Sequence, residues 1–333
     1  MAGAAARTDF SDDVDRPRAS AIERRRVDGV LLLDKPRGLS SNAVLQRAKR
    51  LFRAAKGGHT GTLDPLATGL LPICFGEATK FANLLLDADK AYLATLRLGA
   101  TTTTGDAEGE VVRECPVTAS RAEVERVLQR FIGRIAQIPP RHSALKRDGR
   151  KLYEYARRGI EIERFPREVE IVEIALLAWR PAEADVSVRC GKGTYVRALA
   201  EDIGEALGCG AHVSALSRTA VGALSLAEAV SLDALEARTD PERDALLLPI
   251  DALVDRLERV DLAVAEARRL SCGQALGCDR GNGVVRVYAA NAFAGVAEIR
   301  DGVMRARRML AQEPPPTRRE RPVTQLNPKR FSG

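Results

Sequence analysis

Apolar positions along the chain change period several times, and each change predicts an element. Val30 to Leu33 is a short aliphatic run that enters the turn Asp34-Lys35-Pro36-Arg37-Gly38, so a strand and then a helix starting near Ser40 or Ser41 are expected. From Tyr92 to Leu98, positions 92, 94, 96 and 98 alternate onto one face, as in a half-buried strand. Ser120-Arg-Ala-Glu123 is a capping box, and Val124, Val127, Leu128 and Phe131 continue it as an amphipathic helix ending at Gly133. A strand at Val186 to Cys190 turns through Gly191-Lys192-Gly193-Thr194 into a second helix. Its stripe is Val196, Leu199, Ala200, Ile203 and Leu207, its stop is Gly208, and Arg197 is left on a more polar side. Residues 237–244 read as a break. Beyond them, short segments such as 283–288 and 296–300, separated by glycines, predict a small β domain.

Length and composition set bounds on this picture. A chain of 333 residues with 45% apolar content can bury one large domain, here 27–250, and a smaller one, 251–312. Residues 1–26 and the Pro/Arg-rich 313–333 lack periodicity and read as mobile tails. No run approaches the ~18 apolar residues of a membrane span, and the first thirty residues carry alternating charges instead of a signal-peptide core. A cytoplasmic protein is expected. Six cysteines without CxxC spacing and three scattered histidines (59, 142, 212) favour reduced thiols and argue against zinc. Of the net charge of +7, the tails hold +1 and +3, so nucleic-acid binding must rest on local clusters.

The candidate chemistry lies in Gly57 to Pro72, GGHTGTLDPLATGLLP, where one carboxylate, Asp64, stands among glycines, threonines and leucines. Asp followed by Pro is an ordinary way to start a helix. The surroundings are less ordinary, because small residues let backbone approach a ligand closely while few charges compete with the acid. Tyr92, on its alternating strand, reads as core, and Arg197 as an i, i+4 partner of Glu201. Residues 141–158 pack seven cations into eighteen positions, with Tyr153 and Tyr155 interleaved: either a solvated loop or a surface for RNA phosphates.

The stretch GGHTGTLDPLATGLLPICFGEATK closely resembles the active-site motif of the TruB family of pseudouridine synthases. Further matches follow in order: Asp34-Lys-Pro-Arg-Gly38, Lys90-Ala-Tyr92, Leu98-Gly99 with Thr102-Thr-Thr-Gly-Asp106, and Gln137-Ile-Pro-Pro140 with Ser143-Ala-Leu-Lys146. Then come Lys151-Leu-Tyr-Glu-Tyr155, Gly193-Thr-Tyr-Val-Arg197 and Leu207-Gly-Cys-Gly-Ala-His212, so the resemblance spans roughly 27 to 250. It implies an α+β pseudouridine synthase fold: a central mixed, mainly antiparallel sheet flanked by helices, an RNA-binding insertion near 137–165, and a small C-terminal β-rich domain like the PUA domain.

The activity implied is isomerisation of the uridine at position 55, in the T loop of tRNA, to pseudouridine. That chemistry breaks the C1′–N1 bond, turns the base and joins C1′ to C5; it is redox neutral and implies no cofactor and no metal. By resemblance Asp64 is the carboxylate that acts at the sugar, as in glycosidases; attack on C1′, removal of a C2′ proton and addition to the base all stay open. Tyr92 would pack on the base with its hydroxyl near the C5 proton, and Arg197 would pair with Asp64 and keep it ionised. His59 would stack in the loop vacated by the flipped uridine, Lys35 would support the site, and Leu216 would contact the flipped base. Lys146 and Arg147 fall in the segment that grips the T arm. The family often has an acid where this chain has Thr103, and a second arginine where Ser217 precedes Arg218, which removes one phosphate contact.

Two other readings compete. One is the guide-RNA-dependent synthase subunit of H/ACA particles, which needs partner proteins; the other is a tRNA-folding chaperone that works without catalysis. The 59–68 motif and the long basic insertion favour the stand-alone enzyme, a monomer with no obligatory protein partner and no membrane contact.

Overall fold

The computed structural model describes residues 24–311 apart from 144 and 148, without the side chains of Lys146, Lys151 and Tyr153. Of the tails expected at 1–26 and 313–333, residues 1–23 and 313–333 lie outside the described residues. Two compact units divide between Pro249 and Ile250.

In the larger unit the strands are β1 (Gly29–Lys35), β2 (Gly57–His59), β3 (Thr68–Phe75), β4 (Lys90–Leu98), β5 (Ala100–Thr102), β6 (Val111–Glu114) and β7 (Gly133–Gln137). There follow the hairpin β8 (Lys146–Arg147) and β9 (Arg150–Lys151), the long β10 (Arg167–Arg180), β11 (Glu183–Cys190), β12 (Ala211–Val221), β13 (Leu224–Ser225) and β14 (Val230–Ser231). Ten of these form one sheet, ordered β14-β1-β3-β12-β4-β11-β10-β7, with β2 beside β3 and β13 beside β12. Only β1–β14 and β3–β12 pair in parallel; the other pairings are antiparallel. The expected mixed, mainly antiparallel sheet is therefore present.

The principal helices are α1 (Ser41–Leu51), α2 (Ala82–Leu86), α3 (Arg121–Gln129), α4 (Leu152–Ala156), α5 (Val196–Ala206), α6 (Leu232–Glu236) and α7 (Asp240–Asp244). Helix α1 starts where Ser40 accepts a hydrogen bond from Ala43 N–H, and it buries Val44, Leu45 and Ala48. Helix α3 has the expected capping box but ends at Gln129, because Gly133, at φ 97°, opens β7 instead. Helix α5 buries Val196, Leu199, Ala200 and Ile203 against the sheet, in one core with Val44, Leu71, Leu96 and Val188. Burial of that stripe is the main force fixing the helix on the sheet.

Two expectations need correction. Residues 237–244 are not a plain break: Thr239 and Glu242 form a capping box, and Pro241 sits in the first turn of α7, where its missing N–H costs nothing. Arg25, placed with the N-terminal tail on sequence grounds, belongs to the larger unit: its N–H donates to Arg53 O at 2.8 Å, and its guanidinium donates to Asp244 at 2.7 Å.

The smaller unit holds β15 (Glu258–Leu262), helix α8 (Val264–Ser271), β16 (Leu276–Gly277), β17 (Gly283–Ala289), β18 (Ala292–Arg300) and β19 (Val303–Met309). They form a five-stranded sheet, β15-β17-β18-β19-β16, around Val260, Leu270, Val285, Val287, Ala297 and Ile299. It is β-rich, as the alternation in 283–288 and 296–300 predicts. Among the described residues no helix is long and apolar enough to cross a membrane.

Candidate active site

Asp64 lies in the loop between β2 and β3, and that loop is fastened from several sides. Ser41 Oγ, at the start of α1, donates to Leu63 O at 2.9 Å and accepts Leu63 N–H at 2.8 Å. Pro65 O accepts Gly38 N–H at 2.8 Å and the Lys35 ammonium at 3.3 Å, and Gly69 N–H donates to Asp34 Oδ1 at 3.2 Å. These bonds use the groups that an α-helix starting at Asp64 would need, so the Asp64-Pro65 pair starts no helix. It closes one turn, Ala67 N–H to Asp64 O at 3.1 Å, and the chain runs straight into β3.

Arg197, on the first turn of α5, meets this loop. Its Nε stands 3.0 Å from Asp64 Oδ2, its Nη1 3.6 Å from Asp106 Oδ2, and its remaining donors reach Thr104 O at 2.9 Å and His142 O at 2.8 Å. The Arg197 side chain is 5% exposed and Asp106 4%, while Asp64 keeps 37%. The polar face expected for Arg197 is thus covered by the segments carrying Thr104 and His142, and of its two readings, a pair with Glu201 or a pair with Asp64, the geometry has the second, with Asp106 added. Asp106 is itself held by the Thr104 hydroxyl at 2.5 Å and by Glu108 N–H at 3.1 Å. Gln137 at the end of β7 fixes the entry to α5, accepting Tyr195 N–H at 3.1 Å and donating to Tyr195 O at 3.3 Å.

Asp64 opens into a cavity of about 490 Å³ lined also by His59, Asp106, Glu108, His142, Arg157 and Arg197. Burial pushes the Asp64 carboxyl above its usual range and Asp106 adds to this, while Arg197 and Lys35 pull it back. Glu108 is raised as well, by burial and by the charges of Asp106 and Asp64. Lys35 is fully buried, donates to Leu39 O at 2.7 Å and Pro36 O at 2.9 Å besides Pro65 O, and is lowered to about 8 by burial. It braces the loop from behind and is not among the cavity residues.

The other expected site residues are spread more widely. His59 ends β2, half-buried, and lines the Asp64 cavity. Tyr92 does not line it; on β4 it stands directly opposite Arg218 of β12 and shares a hydrogen bond with that guanidinium. Burial raises the Tyr92 phenol, and Arg218 draws it down. Leu216 shares that sheet face, opposite Ala94, but lines a separate cavity of about 430 Å³ with Arg37, Leu66 and Thr68. Arg147 is on the β8–β9 hairpin, exposed, with its guanidinium 5.5 Å from the Phe165 ring. Lys146 shares the hairpin by its backbone. Asp106, Glu108 and Arg218 carry no assigned role in the sequence reading. Asp106 stands inside a matched motif, whereas nothing local marks the burial of Arg218.

Three family domains match in succession along the chain. The TruB family pseudouridylate synthase N-terminal domain matches residues 49–196, the tRNA pseudouridylate synthase B C-terminal domain 197–255, and the pseudouridine synthase II TruB C-terminal domain 259–310. A tRNA pseudouridine synthase B of Azoarcus sp. (strain BH72) is 55% identical over 88% of this chain and 98% of its own length. One of Burkholderia lata is 55% identical over 90% and 97%. Among solved structures, a chain from the crystal structure of a Cbf5–Nop10–Gar1 complex superposes with TM-score 0.65 at 25% identity, covering 83% of this chain and 78% of that one. A chain of an H/ACA RNP bound to a substrate RNA containing 2′-deoxyuridine superposes with TM-score 0.62 at 24% identity, covering 81% and 77%, a likeness of fold. With three domain matches in register and relatives more than half identical along nearly their whole length, the chain belongs to the TruB family of pseudouridine synthases.

Proposed function

We propose that this protein converts a uridine of tRNA, the one at position 55 in the T loop, to pseudouridine, acting without a guide RNA. The observation that carries the reading is a carboxylate open to a cavity and bridged by a buried arginine: Asp64 at 3.0 Å from Arg197. Cleavage of the C1′–N1 bond builds positive charge on the sugar, and an oriented carboxylate can stabilise that charge or trap it as an ester. Arg197 fixes the orientation and offsets the cost of burying the acid; Lys35 and Ser41 keep the loop still. The departing uracil stays in the site, turns and presents C5 to C1′, so the atoms of the substrate are all kept.

A T-loop uridine must leave its stack to reach Asp64, at a cost of a few kcal/mol, and His59, at the cavity wall, is the ring placed to fill the vacated space. Tyr92 and Leu216 line the sheet face on which the turned base rests. The β8–β9 hairpin, with Lys146 and Arg147, would grip T-arm phosphates. The relatives named tRNA pseudouridine synthase B, matched over nearly their entire length, support an enzyme that acts on tRNA, and on this reading it works as a stand-alone monomer where tRNA matures, in the cytoplasm.

The test is tritium release from tRNA transcript labelled as [5-³H]uridine, with purified protein alone. Wild type should release a single tritium per transcript, the signal should vanish when the T-loop uridine is replaced, and Asp64→Asn should bind tRNA without releasing any. Turnover that depends on an added guide RNA, or release by Asp64→Asn at the wild-type rate, would overturn the assignment.

A further inference from the structure

Arg218 is the bulkiest side chain to be fully buried, at 1% exposure. Its Nε donates to Leu70 O at 2.8 Å and its Nη2 to Gly61 O at 3.2 Å, so one guanidinium holds both ends of the loop that carries Asp64. Among the described residues no carboxylate pairs with it, and the single group of acidic character it meets is the Tyr92 hydroxyl. A buried cation is normally kept with an anion beside it. Here the position of that anion is occupied by a phenol, locked opposite by the strand register Arg218↔Tyr92.

We propose that Arg218 is a positioning residue for the isomerisation: it supplies the counter-charge that lets the Tyr92 oxygen shed its proton and take the one on C5 of the uracil, while it ties the Asp64 loop to the same point. This rests on the function proposed above. Once C5 has joined C1′, C5 carries both the new bond and its hydrogen. The Tyr92 proton passes to solvent, the phenolate takes the C5 proton, the C5–H pair closes the C5=C6 double bond, and the C6=N1 pair moves onto N1, which takes a proton from solvent. No oxidant or reductant is needed.

The groups around the pair are consistent with that role. Lys90 on β4 is the other cation near Arg218, and its ammonium is directed to Leu86 O at 2.5 Å and Ala88 O at 2.6 Å. Cys190 on β11 is pushed up to about 11 by burial and stays a neutral thiol. Asp64 opposes ionisation of Tyr92, which leaves Arg218, among the described residues, as the neighbour that favours it.

The experiment is single-turnover isomerisation of tRNA bearing protium or deuterium at uracil C5, across roughly pH 6 to 9, for wild type, Arg218→Lys and Arg218→Gln. Arg218→Gln should keep tRNA binding, lose about 100-fold or more in rate, gain a C5 isotope effect absent from wild type, and speed up as pH rises; Arg218→Lys should recover most of the rate. A rate loss with no isotope effect and no pH response would make Arg218 a loop clamp only and overturn the proposal. If Arg218→Gln fails to fold, 3-fluorotyrosine at position 92, a more acidic phenol, decides the matter. It should speed Arg218→Lys, and no change would overturn the proposal. A wild-type protein without turnover overturns the isomerase reading itself, whereas full turnover in Arg218→Gln overturns only the role of Arg218.

Discussion

Replacing Lys35 by methionine tests whether the Asp64 loop is braced by a charge held against its own hydration. The ammonium is fully buried, bonded to three carbonyls, and lowered from 10.5 to about 8, chiefly by burial and in spite of Asp64, Glu108 and Asp34. Between those two values the unfolded chain keeps the proton that the folded chain has released, so stability rises with pH through that window. The full gap corresponds to about 3 kcal/mol, and from about pH 7 to about 9.5 wild type should gain about 2 kcal/mol over Lys35→Met. Urea unfolding followed by Trp179, the single tryptophan, packed at the edge of the main core, measures both proteins. Taking the difference at each pH cancels the titrations they share. A difference that stays flat across the window, or falls, would refute the reasoning and mean that the Lys35 ammonium holds its proton in the folded state as firmly as in the unfolded chain.

Arg197→Met should leave the buried Asp106 without a cation, cost about 3–5 kcal/mol in urea unfolding, and shift the acid limb of the pH–rate profile upward as Asp64 loses the group that pulls it down. Gly69→Ala would bring a Cβ to 2.4 Å from Arg218 O and 2.6 Å from Arg218 N at φ +98°, so a thermal scan should show a loss of about 3 kcal/mol or more together with lost activity. Ser120→Ala removes the α3 cap and should cost about 1 kcal/mol in urea unfolding, with tritium release unchanged.

Patterns carried by one element were legible in the sequence. The alternation of Tyr92, Ala94, Leu96 and Leu98, the Ser120 cap and the α5 stripe all concern neighbours three or four residues away, or on one strand face. What other elements bring was not. Arg197 faces away from the stripe of its own helix, and only the approach of the segments at 104 and 142 buries it. Asp64-Pro65 has the local chemistry of a helix start, but Lys35, Gly38 and Asp34 claim the groups such a helix needs. Arg218 sits on a strand where a polar residue would be taken for an outward one, and its inward course follows from pairing with Tyr92. The Asp64–Arg197 pair was reached through family resemblance, since no spacing rule links residues on a loop and a distant helix.

The parallel contact between β3 and β12 has a further consequence, for how the protein folds. It spans only Ser217↔Thr68 and Arg218↔Gly69, yet it is the seam between the β14-β1-β3 group and the five strands from β12 to β7. Asp64 comes from one side of that seam, while Tyr92, Arg197 and Arg218 come from the other. Pairing across so large a sequence separation is entropically slow, whereas the flanking antiparallel neighbours gain more contact per loop closed. The antiparallel pairs β1–β3 and β4–β12 can therefore form before the seam zips, and the Asp64 loop is tied to Arg218 only when it does.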